Sequence, residues 1–125
     1  RLKQALFRRV VLGSYADTCC ISGLNHPQLL VASHIVPWGV DARLRLNPAN
    51  GLCLSALHDR AFDRGLLTVL PDLTVRVSAQ IRALRGQPFA DAALLGFDGW
   101  PVRLPEKFRP HPDFLRWHNE NVFLG

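Results

Sequence analysis

The sequence contains no methionine, only three cysteines and a single tyrosine in 125 residues. A chain without methionine is expected to be a piece of a longer protein, with something in front of it. Three cysteines, two of them adjacent (Cys19, Cys20), cannot make the even framework of a disulfide-stapled secreted domain. The expected setting is a reducing compartment, the cytoplasm. No apolar run approaches the ~20 residues that a membrane span needs. The opening Arg1-Leu2-Lys3 lacks the apolar stretch and small-residue cleavage site of a secretion signal. Repeats, low-complexity tracts and internal linkers are missing as well, so the length predicts one domain over 1–125.

Acidic residues are scarce: 10 Asp and Glu against 15 Lys and Arg, a net charge of +5 with pI ≈ 9.9. That excess suits a polyanionic partner, and equally a mildly basic soluble domain. Hydrophobic residues make up 48% of the chain, which is a globular composition.

Leu2, Leu6, Val10 and Leu12 fall near helical spacing, with Gly13-Ser14 as a stop, predicting an amphipathic helix from Leu2 to Tyr15. Asp17 to Pro27 is turn-rich around a short apolar fragment, Cys19-Cys20-Ile21. Leu29 to Val36 reads as a strand ended by Pro37. The loop after Trp38 carries Arg43 and Arg45, which suit phosphate clamps or ordinary surface charges. Gly51 to Leu54 is a second short strand, and Ser55 is a natural N-cap for a helix that Gly65 stops. Leu66 to Leu70 and Leu73 to Val77 read as a β-hairpin with Arg76 on the opposite face to Val75 and Val77. A short helix from Ala79 to Leu84 is followed by a proline-rich loop from Gly86 to Pro112, pinned to the core by Phe97, Trp100 and Phe108. Pro112 to Phe123 predicts a last helix. The fold class is therefore α+β. His26 and His111 read as surface residues, and His118 as a packed residue at the core edge.

Four blocks carry a resemblance. They are Cys20-Ile21-Ser22-Gly23; Val31-Ala32-Ser33-His34-Ile35-Val36-Pro37-Trp38; Arg45-Leu46-Asn47-Pro48-Ala49-Asn50-Gly51-Leu52; and Leu57-His58-Asp59-Arg60-Ala61-Phe62-Asp63-Arg64-Gly65-Leu66. In this order they resemble the HNH endonuclease superfamily, and more closely the C-terminal HNH domain of bacterial restriction-type endonucleases. The ending, Leu115-Arg116-Trp117-His118 through Val122-Phe123, is similar to that group's C-terminus.

The resemblance implies an HNH-type hairpin-and-helix core that holds a divalent metal against a DNA phosphodiester. It makes His34 the general base, a role an imidazole fills well near neutral pH. Asn50 becomes the residue that bridges the loop and orients the base, and His58 the metal-binding histidine. Arg43, Arg45 and Arg64 stand where DNA contacts are expected. The implied metal is Mg²⁺ or Mn²⁺, with Ni²⁺ or Zn²⁺ also suited to an imidazole-containing site. An upstream specificity domain is implied as the DNA-selecting partner, and a homodimer is compatible with it.

Two departures stand out. Many members have Asp or His before the base histidine as a second metal ligand, where this chain has Ser33. Asp63 and Asp59 are the nearest substitutes; Asp63 is preferred, and a helix-end cap is its equal alternative. Many members also hold a structural zinc with two Cys-x-x-Cys pairs, here expected at Cys20 and Gly23 and at Leu54 and Leu57. One thiolate of four cannot make that site, so no structural zinc is expected. Ser33 supports the rival reading of a nucleic-acid-binding module that keeps the fold without cleaving. A purely structural domain leaves His34, Asn50 and His58 unexplained.

Overall fold

In the computed structural model, which describes residues 1–125, the first element is a helix, α1 (Leu2–Ser14), that buries Phe7, Val11 and Leu12. The buried stripe is rotated from the one predicted: Leu2 is 86% exposed and Leu6 42%. Phe7 and Val11, one helical turn apart, face the first hairpin instead. Arg8 fastens the helix there, donating from Nη1 to Leu30 O at 2.7 Å and from Nη2 to Pro27 O at 2.7 Å. The apolar fragment Cys19-Cys20-Ile21 lies in a turn, where Cys20 N–H donates to Cys53 O at 2.8 Å.

Strands β1 (Leu30–His34) and β2 (Gly51–Ser55) pair antiparallel, with His34 opposite Gly51 and Ser33 opposite Leu52. β1 ends two residues before the predicted limit because a side chain replaces the ladder: Val36 N–H donates to Asn50 Oδ1 at 2.8 Å. Ser55 then caps α2 (Ala56–Asp63), its Oγ accepting the His58 backbone N–H at 3.2 Å. Gly65 ends that helix with φ +71°, and a Cβ there would sit 2.1 Å from Val122 O. Both the backbone conformation and the close approach require glycine.

A second hairpin follows, β3 (Leu67–Val69) with β4 (Val75–Val77), where Val75 and Val77 are buried and Arg76 is exposed as the alternation predicts. After α3 (Ala79–Arg82), the stretch predicted as a loop contains a helix, α4 (Pro88–Ala93), and a 3₁₀ turn at Leu95–Phe97. Pro88 occupies its first turn, where a missing N–H costs nothing. Phe97 packs against the core, but Trp100 and Phe108 are 62% and 48% exposed and do not pin the segment. Backbone bonds do so: Val75 N to Trp100 O (2.9 Å), Val102 N to Leu73 O (2.8 Å), Arg103 N to Cys20 O (2.8 Å) and His111 N to Ala49 O (3.0 Å).

The last helix, α5 (Pro112–Asn121), returns to β3, with His118 donating to Phe62 O at 2.9 Å and meeting Thr68 Oγ1 at 2.7 Å. One cluster of 22 buried side chains draws on α1, both hairpins, α2 and α5. The architecture is α+β, two small antiparallel hairpins among five helices. No helix is long and apolar enough to cross a membrane.

Candidate functional site

A groove of about 410 Å³ opens between the end of β1 and α2, lined by Ser33, His34, Trp38, Asp59, Asp63 and His118 among others. His34 reaches it from the last paired position of β1. Its Nε2 lies 2.9 Å from Arg45 O. A carbonyl only accepts, so Nε2 carries the proton and Nδ1 is left as the basic nitrogen. Burial lowers the pKa of His34, against the opposing pull of the Arg45 carbonyl. The imidazole is therefore neutral at neutral pH, the form a base requires. Phe7 stacks on one face of the ring, and Trp38 meets it edge-on.

Asn50 is fully buried and does not touch that ring. Its Oδ1 accepts Val36 N–H at 2.8 Å, and its Nδ2 donates to Val36 O at 3.0 Å and Leu44 O at 3.4 Å. It clamps the chain leaving β1 to the chain entering β2. Arg45 closes the same loop, donating from Nε to Trp38 O at 2.8 Å with its guanidinium 4.9 Å from the Trp38 ring centre.

His58 is not where its expected role requires. Its Nε2 donates to Ala93 O at 2.7 Å, and its Nδ1 meets Ser55 Oγ at 2.6 Å. Both ring nitrogens are thus committed to the protein, and the side chain is 4% exposed on the far side of α2 from His34's groove. Around it converge Cys19, Ser22 and Ser55: Cys19 Sγ accepts Ser22 N–H at 3.3 Å and lies within hydrogen-bonding reach of His58. These are two x-x-spaced pairs, Cys19/Ser22 and Ser55/His58, one register away from the expected Cys20/Gly23 and Leu54/Leu57. Leu54 is buried in the core while Leu57 is 39% exposed.

What α2 offers the groove is Asp59 and Asp63, four residues apart on one helical face. Burial, then the charge of Asp59, pushes the Asp63 carboxyl up to about 6, with Arg60 and Arg64 pulling the other way. Counted from His58, Asp59 falls off the expected site; counted from each other, the two aspartates share a face. The i,i+4 spacing between the two carboxylates was the available signal.

Ser33 is 2% exposed and lines the groove, and its Oγ has no hydrogen-bond partner. A hydroxyl buried without a partner costs ~1–3 kcal/mol, so its place calls for an oxygen-loving occupant. Nowhere do three His, Cys, Asp or Glu side chains converge as a ready metal cage. Two carboxylates and a hydroxyl do fit Mg²⁺ or Mn²⁺, hard cations that take one or two carboxylates, keep waters and bind phosphate oxygens. They suit Zn²⁺ or Ni²⁺ less well, since α2 presents no imidazole.

Of the expected DNA contacts, Arg43 is 88% exposed but paired with Asp41, 2.9 Å away. Arg64 is exposed at the end of α2 beside Asp63, with no ion pair.

No curated protein matches the chain. Residues 19–70 match the family model of the HNH endonucleases, a span holding His34, Asn50 and all of α2. Among solved structures, a modification-dependent TagI restriction endonuclease shares the fold, with a TM-score of 0.60 and 22% identity. The match covers 91% of this chain and 36% of that one, so the chain spans about a third of its neighbour's length. Over residues 19–70 the chain is therefore similar to the HNH endonucleases, and over most of its length it shares the fold of a restriction endonuclease.

Proposed function

We propose that this domain is a metal-dependent nuclease that hydrolyses DNA phosphodiester bonds. One observation carries the reading: His34 is held with Nδ1 as its basic nitrogen, in a groove it shares with Asp59 and Asp63. Nδ1 of His34 takes the proton from an attacking water. The Arg45 carbonyl keeps the ring in that tautomer, and Asn50 holds the loop that places it. Asp59, Asp63 and the Ser33 hydroxyl would hold the cation, which when bound supplies positive charge to the scissile phosphate and the leaving oxygen. Arg64 and Arg45 bring cationic charge to the DNA backbone.

The structural neighbour is described as modification dependent, and this chain matches only 36% of it. We read residues 1–125 as the cleavage module of a cytoplasmic, restriction-type protein, with target choice made by an upstream part.

Plasmid nicking tests the reading. Wild type should cut with Mg²⁺ or Mn²⁺ and stop in EDTA. His34→Ala should cut ~10²–10⁴-fold more slowly, the range of a lost general base. A wild-type domain that binds DNA but never nicks it would favour the non-cleaving module. An active His34→Ala would remove His34 from the chemistry.

A further inference from the structure

We propose that α1 belongs to the catalytic apparatus, with Phe7 as a positioning residue for His34; this rests on His34 being the base. The two rings lie face to face, centroids 3.9 Å apart and planes 8° from parallel. A hydrogen bond from Nε2 to the Arg45 carbonyl holds one point of the imidazole. A parallel contact holds its plane. Together they fix the direction in which Nδ1 points, and reaction rates depend steeply on that aim.

The surrounding sequence is arranged to permit the stack. Gly51 lies directly opposite His34 in the hairpin register. Its backbone is ordinary extended chain, φ −128°, so conformation does not demand glycine there. Space does. A Cβ at Gly51 would lie 2.6 Å from Val11 Cγ2 and 2.8 Å from Phe7 Cζ. Glycine lets α1 come close enough for Phe7 to cover the imidazole, and the two Arg8 hydrogen bonds hold the helix at that depth. Phe7 is 3% exposed, so the contact is shielded from water on the side away from the groove.

A core residue that merely fills space would behave like its neighbour. Val11 is that control: it is buried on the same helix against the same glycine and has no ring contact with His34. The experiment compares Phe7→Leu, Val11→Ala and His34→Ala in the whole domain, by single-turnover cleavage, thermal midpoint and NMR of the His34 ring. Phe7→Leu should slow cleavage ~10- to 100-fold with DNA affinity within about twofold, since misplacement acts on the reacting geometry and leaves binding alone. Val11→Ala should lose comparable thermal stability and keep a cleavage rate within about twofold of wild type. The ring ¹⁵N signals should report one Nε2–H tautomer in wild type and Val11→Ala, and should broaden or average in Phe7→Leu. Gly51→Ala, whose methyl would press on Phe7 Cζ and Val11 Cγ2 and leave the His34 side chain intact, should reproduce the Phe7→Leu rate loss, and Gly51→Ala with Val11→Ala should recover part of it. If Phe7→Leu and Val11→Ala lose rate equally for equal stability, the inference is wrong while His34 remains the base. If His34→Ala still cleaves, the base assignment itself has failed.

Discussion

His34 and His58 carry the same side chain to different ends, and what each ring nitrogen meets decides the difference. His34 spends one nitrogen on a backbone carbonyl and keeps the other, whereas His58 spends both. His58→Ala should therefore act on stability. It strands the Ala93 carbonyl, a loss of ~1–3 kcal/mol for a buried acceptor, while the Mg²⁺ concentration for half-maximal cleavage stays put. An unchanged thermal midpoint with a raised Mg²⁺ requirement would return His58 to the metal shell. Asp63 carries the opposite signature. With its carboxyl pushed from the ordinary 3.8 to about 6, the metal-free fold holds a proton that the unfolded chain has lost over that window. Stability then falls as pH rises through the window, because the native state binds more protons than the unfolded one. Asp63→Asn should thus melt no lower than wild type in EDTA at pH 7, and the two should converge near pH 4. A variant that unfolds instead identifies Asp63 as a structural cap.

On α2, the proposed metal-holding unit is the face made by Asp59 and Asp63 together. Each single change to Asn should raise the Mg²⁺ needed for half-maximal cleavage, and the double change should raise it further. Titrations of cleavage against Mg²⁺ check this, and a silent Asp59→Asn would restrict the site to Asp63. The elements of this region were legible because their signals are local: Pro37 after a β-prone run, Ser55 as a cap, Gly65 as a stop. The position of His34 at the strand end and of Asn50 at the next strand's start followed from the same pattern. The side of α2 that faces His34 was not legible, because the acceptor that claims His58 is Ala93 O, 35 residues away on an unpredicted helix. Helix α4 itself was hidden by a proline-rich setting, although Pro88 fits its first turn. The Phe7 face of α1 was missed for a similar reason: Leu2, Leu6 and Val10 give an equally good apolar stripe, and only the hairpin selects between the two.

Taken as a whole, the molecule closes its core on apolar side chains contributed by every major element. Twenty-two buried side chains join α1, both hairpins, α2 and α5. The segment from Gly99 to His111 ties the second hairpin to Cys20 and to Ala49 through backbone hydrogen bonds. At the corner where the resemblance led to a zinc site, Cys19, Ser22, Ser55 and His58 join by hydrogen bonds. The catalytic cation would bind in the groove, at the edge of this core, and would add stability only by mass action, about RT ln(1 + [L]/Kd). Stability and activity should therefore respond differently to chelation. EDTA should abolish nicking while the thermal midpoint measured by circular dichroism stays within a few degrees of the untreated protein. Mg²⁺ returned in excess should restore cleavage without a refolding step. A large fall in the midpoint, or activity that returns only after refolding with Zn²⁺, would mean that a structural metal holds the Cys19 and His58 corner, and that the hydrogen bonds there belong to its unloaded form.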